Sequence, residues 1–260
     1  MIYTCYEMIR DCRANRPEGW RYFVRQYVPA MRRLLERYGS EGAQLNRVLA
    51  AIHKPESNLF QVMEPAPERA FLAELRQQVI AETDSPAPAI ELALDSVAAA
   101  WQPLTVVERQ AAWLETMQYS PSETGEMLRM SAQTVEKIRG RAADLVRGQV
   151  DTWNQTLLAA NGPTLGRAAV AAHTASCPPA KAFLDVLDGR TTWHGRDQME
   201  SHVPGCWYCI DHFCRLLEAV AVLRAIRPLT EEEAAPLDRL MGIEREKPGV
   251  WRRWFAGSAR

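Results

Sequence analysis

Between Trp20 and Tyr38 the apolar residues fall at Trp20, Phe23, Val24, Tyr27, Val28, Met31, Leu34, Leu35 and Tyr38. Steps of three and four keep them on one face of a helix, with Arg21, Arg25, Arg32, Arg33 and Arg37 opposite. Pro29 lies inside this pattern and predicts a kink or a break. Leu45, Val48, Leu49 and Ile52 predict a short second helix, and Pro67 opens a third that buries Phe71, Leu72, Leu75 and Val79. Residues 84–89 hold two prolines among small residues, which cannot continue a helix and so predict a linker. Beyond it, Thr105 with Glu108 and Ser120 with Glu123 both fit a capping box, in which the two side chains satisfy orphan amides reciprocally. After a short break at 127–131, Val135, Ile138, Ala142 and Leu145 define another amphipathic helix. Two helices joined by so short a turn predict a helix-turn-helix. Residues 151–176 are poorly patterned, with Asn161-Gly162-Pro163 as a breaker, and Leu216, Leu217, Val220, Val222 and Leu223 mark a late helix. No repeat and no alternating strand pattern interrupts this, so an all-α chain is expected.

Composition sharpens the picture only where it excludes. The 260 residues favour two or three domains, and 47% hydrophobic against 24% charged residues suits folded cores. With 31 basic and 32 acidic residues there is no global polybasic character, so any nucleic-acid partner must be argued from a local patch. No window approaches the roughly 18 uninterrupted apolar residues of a membrane span, and no membrane partner is expected. The first residues carry acids and arginines where a signal peptide needs an apolar stretch, so a cytoplasmic protein is expected. Neither a glycine-rich phosphate loop, a nucleophile elbow nor paired carboxylates at helical spacing occurs, and no enzyme is expected.

The second helix of the expected helix-turn-helix begins at Ser131 and is read as exposing Gln133, Thr134, Glu136, Lys137, Arg139 and Arg141. Glutamine can bond adenine edges, arginine and lysine can reach guanine or phosphate, and a serine-capped start favours phosphate. The same pattern also fits a helical hairpin with a solvated charged face. The wording of the segment shifts the balance toward the first. Leu104, Thr105, Glu108, Arg109, Ser120, Glu123, Leu128, Ser131, Thr134, Val135, Arg141 and Ala142 resemble region 4 of bacterial sigma factors of the extracytoplasmic-function type. The match runs without a gap from Leu104 to Val146; the usual turn glycine is Arg129. Residues 8–39 look like the opening of sigma region 2, in the right order before the linker. Resemblance implies that region 2 binds core RNA polymerase through the helix holding Leu45, Asn46, Val48 and Leu49. It implies that region 4 reads promoter DNA through Ser131, Gln133, Thr134, Lys137, Arg139 and Arg141. The sequence departs from the family at Ala43-Gln44, where an acid is usual, and at Glu74 and Arg76, where aromatics are common.

His202-Val203-Pro204-Gly205-Cys206-Trp207-Tyr208-Cys209 is a histidine-x3-cysteine-x2-cysteine string, the donor types and spacing that Zn²⁺ prefers. Clustered cysteines in a reducing compartment favour metal over disulfides. Cys177 is the expected fourth ligand, with Cys214, His212, His194 and His173 as alternatives. Cys5 and Cys12 are read as buried apolar thiols. From Cys177-Pro178 to Leu217, through Phe183-Leu184-Asp185-Val186-Leu187-Asp188-Gly189, the segment resembles the zinc-binding anti-sigma domain. That family's domain wraps sigma domains, so intramolecular contact with the sigma-like regions is implied.

The expected organisation is therefore a region 2-like unit at 1–82, a linker at 83–103 and a region 4-like unit at 104–150. A second linker at 151–173, a zinc-binding unit at 174–227 and a tail at 228–260 follow. The leading expectation is a sigma factor whose fused zinc domain modulates it, with the first 150 residues folding without the metal. The alternatives are a sigma-like interaction protein that does not support initiation, motivated by Ala43, Glu74 and Arg76, and a metal- or redox-sensing DNA-binding regulator.

Overall fold

The computed structural model describes residues 3–38, 42–54, 57–61, 67–84, 91–147, 156–223 and 226–243. Every element among them is helical, as the periodicity implies. Helix α1 (Cys5–Arg13) starts at a Thr4–Glu7 capping box. Helix α2 (Pro17–Arg37) crosses it so closely that a Cβ on Gly19 would lie 2.6 Å from the Cys12 amide nitrogen. Helices α3 (Ala43–Ile52), α4 (Asn58–Gln61) and α5 (Glu68–Glu82) complete the N-terminal group.

Pro29 neither breaks nor ends α2. The flanking residues Val28, Ala30 and Met31 are buried, and that packing outweighs the one hydrogen bond that proline removes. Leu45, Val48 and Leu49, expected to face polymerase, are instead buried in the N-terminal core, and only Asn46 of the four is exposed. Their spacing of three and one is a core stripe, and a side chain that fills its own core cannot also meet a partner. Cys12 is buried as expected, whereas Cys5 is half-exposed.

The remaining helices are α6 (Leu94–Ala100), α7 (Val106–Thr116), α8 (Pro121–Leu128), α9 (Ala132–Arg147) and α10 (Thr156–Ala171). They are followed by α11 (Ala180–Leu187), α12 (Trp193–His202), a 3-10 turn at Val203–Gly205, α13 (Trp207–Leu223) and α14 (Glu231–Leu240). Residues expected to be a linker and a breaker lie inside α10. A Cβ on Gly162 would come within 2.2 Å of the Thr116 carbonyl, so α10 presses its glycine against α7. Asn161 is buried and its Oδ1 accepts from the Leu92 amide at 3.0 Å, so this residue too is bound by tertiary contact.

A second core runs from Leu92 through Trp101, Trp113, Leu158, Leu165 and Phe183 to Leu216. The region 4-like segment, the expected linker and the cysteine-bearing unit thus share one interior. The expected tail is also structured in part. Leu229, Ala234, Leu237, Met241 and Ile243 join the N-terminal core, and the Leu229 amide donates to the Arg25 carbonyl at 2.9 Å. The run Trp251-Arg252-Arg253-Trp254-Phe255 lies outside the described residues.

Candidate metal centre and helix-turn-helix

Four segments bring the cysteine and histidine donors together. Cys177 sits in the loop after α10, His202 ends α12, Cys206 follows the 3-10 turn, and Cys209 lies in the first turn of α13. Their donor atoms all lie within 4.8 Å of one another, and this group could hold a metal ion. Sγ of Cys177 and Sγ of Cys206 are 3.7 Å apart. A tetrahedron with zinc–sulfur bonds of about 2.3 Å has edges of about 3.8 Å, so the spacing suits that geometry. Nε2 of His202 is buried without a hydrogen-bond partner, as a ligating nitrogen would be. The chain's donors thus fit a Cys3His site, and Cys177 is the fourth member as expected.

The alternatives lie elsewhere. Cys214 is fully buried and points its thiol at the Gln110 carbonyl, 3.9 Å away. His212 packs against Phe183, His173 against Tyr208, and His194 lies beside Gln198.

Thiol acidity in the cluster is divided. Partial burial pushes the Cys177 thiol up, but hydrogen bonds from the Thr174 amide and hydroxyl, together with His202 and Cys206, outweigh it and hold it at about 6. Burial, then the neighbouring Cys206 and Cys177, push Cys209 far up. Three thiols this close repel one another as thiolates, and a divalent cation relieves that repulsion.

The centre is bound tightly to its surroundings. Trp207, next to Cys206, stands between two fully buried tryptophans, 5.7 Å from Trp101 and 5.3 Å from Trp113 between ring centres. Arg109 of α7 donates to the Pro204 carbonyl inside the ligand loop, and to the carbonyls of Trp101 at 3.0 Å and Gln102 at 2.7 Å. Downstream, α13 carries a buried ionic network. Arg76 Nε lies 3.0 Å from Glu218 Oε2 and Arg76 Nη1 lies 3.3 Å from Asp211 Oδ1. Arg215 pairs with Asp211 at 2.9 Å and reaches Glu74 at 3.6 Å. From α7, Trp113 Nε1 donates to Asp211 at 2.9 Å, and the Tyr119 hydroxyl after it donates to Glu218. Glu74 and Arg76 are therefore the sockets for α13. Sequence reasoning missed this network; its signal was the charge triplet Asp211, Arg215 and Glu218, spaced by four and three on an otherwise apolar helix.

The helix-turn-helix forms where it was expected. Ser120 and Glu123 make the capping box of α8, and Thr105 and Glu108 that of α7. Arg129 occupies the left-handed region at φ 57°, and a Cβ on Gly125 would lie 2.5 Å from the Met130 carbonyl, so glycine there lets the turn close. Ser131 Oγ accepts from the Thr134 amide at 3.1 Å. Gln133, Thr134 and Lys137 of α9 are exposed together with Ser131. Arg141 is exposed but paired with Glu108 at 2.9 Å. Arg139 departs from expectation: it is 7% exposed and donates to the Tyr119 carbonyl and the Thr124 hydroxyl, each at 2.8 Å. It braces α9 against α8 and is not free to meet DNA.

No protein-family model, no curated protein and no solved structure matches the chain. Among the described residues no helix is long and apolar enough to cross a membrane.

Proposed function

We propose that this chain is a sigma-type transcription factor held closed by its own zinc-binding C-terminal unit. The observation that carries the reading is the ionic network of α13, which engages α5 of the region 2-like unit and α7 of the region 4-like unit at once. In this reading Zn²⁺ sits on Cys177, His202, Cys206 and Cys209 as a structural staple, supplying rigidity and no chemistry. Promoter DNA meets the exposed side of α9 through Ser131, Gln133, Thr134 and Lys137, with Arg141 available when its pair with Glu108 opens. Core RNA polymerase meets the region 2-like unit, of whose expected contact residues only Asn46 is exposed. Release of α13 would free both units, so the zinc-binding unit acts as an inhibitor.

Transcription in vitro with core polymerase tests this. Truncation after residue 150 would strip α10 and α13 from a shared core, so the better variant is Asp211→Asn with Glu218→Gln, which weakens the clasp without shortening the chain. The reading expects more promoter-dependent transcript from that variant than from the unaltered chain. No transcript from either, with both folded, would overturn it.

The burial of Arg76 against α13 favours a second reading, a sigma-like interaction protein that does not initiate. Co-purification with core polymerase separates the two, because the second reading expects no stable complex even from the weakened variant.

A further inference from the structure

Between the helix-turn-helix and the cysteine-bearing unit lies a groove of about 720 Å³, walled by apolar side chains of α7, α8 and α11 to α13, among them Val107, Met127, Leu128, Met199, Phe213 and Leu217. Clefts of about 300–1,000 Å³ at such junctions, mostly apolar with a few placed polar groups, are typical of small-molecule sites. Val107 is 45% exposed within it, an apolar surface that water covers at a cost.

Three polar side chains in this groove make no hydrogen bond or ion pair among the described residues: Gln110, Arg129 and Thr191, whose Oγ1 is buried. Gln110 is 5% exposed and lines the groove, yet its side-chain amide makes no hydrogen bond among the described residues. Its amide is left free to bond water or a group that enters the groove. Arg129 lines the same groove with an exposed guanidinium that meets no acid among the described residues. Its backbone stands at φ 57°, where glycine is unstrained and a side chain is not. A strained arginine in a turn is a sign that its side chain has work there. The other charged lining residues, Arg196 and Glu200, neutralise each other at 2.6 Å.

We propose that this groove binds a small amphipathic organic anion, with an aliphatic body against the apolar walls and one carboxylate between Arg129 and Gln110. Guanidinium and carboxylate match in bidentate geometry, and the glutamine amide can donate to either oxygen. The uncompensated charge of the lining is positive, which selects the anion over a neutral or cationic analogue. Since the walls belong to both units, the ligand bridges them. The inference does not depend on the transcription reading, and its test measures binding alone.

Calorimetric titration of the full chain with decanoate, and separately with 1-decanol, tests it. Decanoate should bind one to one and saturate, with 1-decanol at least tenfold weaker. Arg129→Gly should erase that preference while raising the melting temperature, since it relieves the strained turn. Val107→Glu should abolish decanoate binding with the helical signal unchanged. Absence of saturable binding, equal affinity for the acid and the alcohol, or unchanged decanoate affinity in both variants would overturn the proposal. So would sedimentation showing a dimer that Val107→Glu dissociates, since the groove would then be a contact between two copies.

Discussion

Arg76 of α5 and Glu218 of α13 form an ion pair with 3.0 Å between Nε and Oε2, both side chains almost wholly shielded from water. They are 142 residues apart in sequence, and Asp211 and Arg215 balance their charges within one buried cluster. Burial lowers the Arg76 pKa, but Glu218 and Asp211 outweigh it, so the guanidinium stays charged. An isolated buried charge is far costlier than a paired one. Arg76→Met therefore leaves Glu218 without a cation, while Asp211 keeps Arg215, and should cost about 3–5 kcal/mol of stability. The double variant Arg76→Met, Glu218→Leu restores the charge balance and should recover most of that loss. Urea unfolding of the unaltered chain, both single variants and the double variant checks the expectation; additive losses would show that the pair is not coupled.

Arg139 and Lys137, two residues apart on α9, should separate stability from DNA recognition. Arg139→Ala removes hydrogen bonds to the Tyr119 carbonyl and the Thr124 hydroxyl, and should lower stability by about 2–3 kcal/mol. Lys137→Ala and Gln133→Ala alter exposed side chains and should change stability by less than about 0.5 kcal/mol. If α9 reads duplex DNA, they should weaken binding instead, by about 1–3 kcal/mol where a bidentate base contact is lost. Thermal melts beside fluorescence anisotropy on promoter duplex distinguish the two effects.

The misplacement of Arg139 shows where the sequence could have been read further. It stands four residues after Val135 and three before Ala142, on the very stripe that periodicity had marked as buried. Arg76 likewise sits four after Leu72 and four before Ile80. For Arg139 residue type overrode position, and position was correct; for Arg76 the position alone marked burial. Capping boxes were legible because their two side chains lie three residues apart and need nothing else. Helix α10 was not, because its Asn161-Gly162-Pro163 segment is held by contacts with Leu92 and Thr116 that no local pattern encodes. The donor set of the metal centre was legible for a further reason: ligand chemistry restricts which residues can meet, even when 25 residues separate Cys177 from His202.

Metal removal should reach further than the cysteine-bearing unit. The purified chain should carry about one Zn²⁺, lost in Cys206→Ser and Cys209→Ser and retained in Cys5→Ser and Cys214→Ser. Because Trp207 stands between Trp101 and Trp113, and Arg109 holds the Pro204 carbonyl, releasing the ligand loop uncovers the interior of the region 4-like unit. Chelation should therefore red-shift tryptophan emission and speed amide exchange across 101–117 as well as 177–217. Loss of structure confined to 177–217 would instead restore the expectation that the first 150 residues stand independently of the metal.

His212 should make the fold sensitive to mild acid. Its ring is buried against Phe183 at 4.8 Å and stacked on Tyr208 at 5.7 Å, with neither nitrogen hydrogen-bonded. Burial, reinforced by Arg215 and His173 and opposed by Asp211, lowers its pKa to about 3 from 6.5. The unfolded chain therefore takes up a proton near pH 6.5 that the folded chain refuses until about pH 3. Stability must then fall as pH drops through that window, with a slope of up to about 1.4 kcal/mol per pH unit from this one group. His212→Phe keeps the aromatic packing, removes two unpaired nitrogens and leaves nothing to protonate. It should match or exceed the unaltered chain at pH 7.5, and its advantage should grow steadily toward pH 5. Denaturant unfolding at several pH values, with metal content measured alongside, isolates the histidine from the proton dependence of the cysteine ligands, which both proteins share. A difference between the two that stays flat from pH 7.5 to 5 would show that His212 is protonated in the fold as readily as outside it.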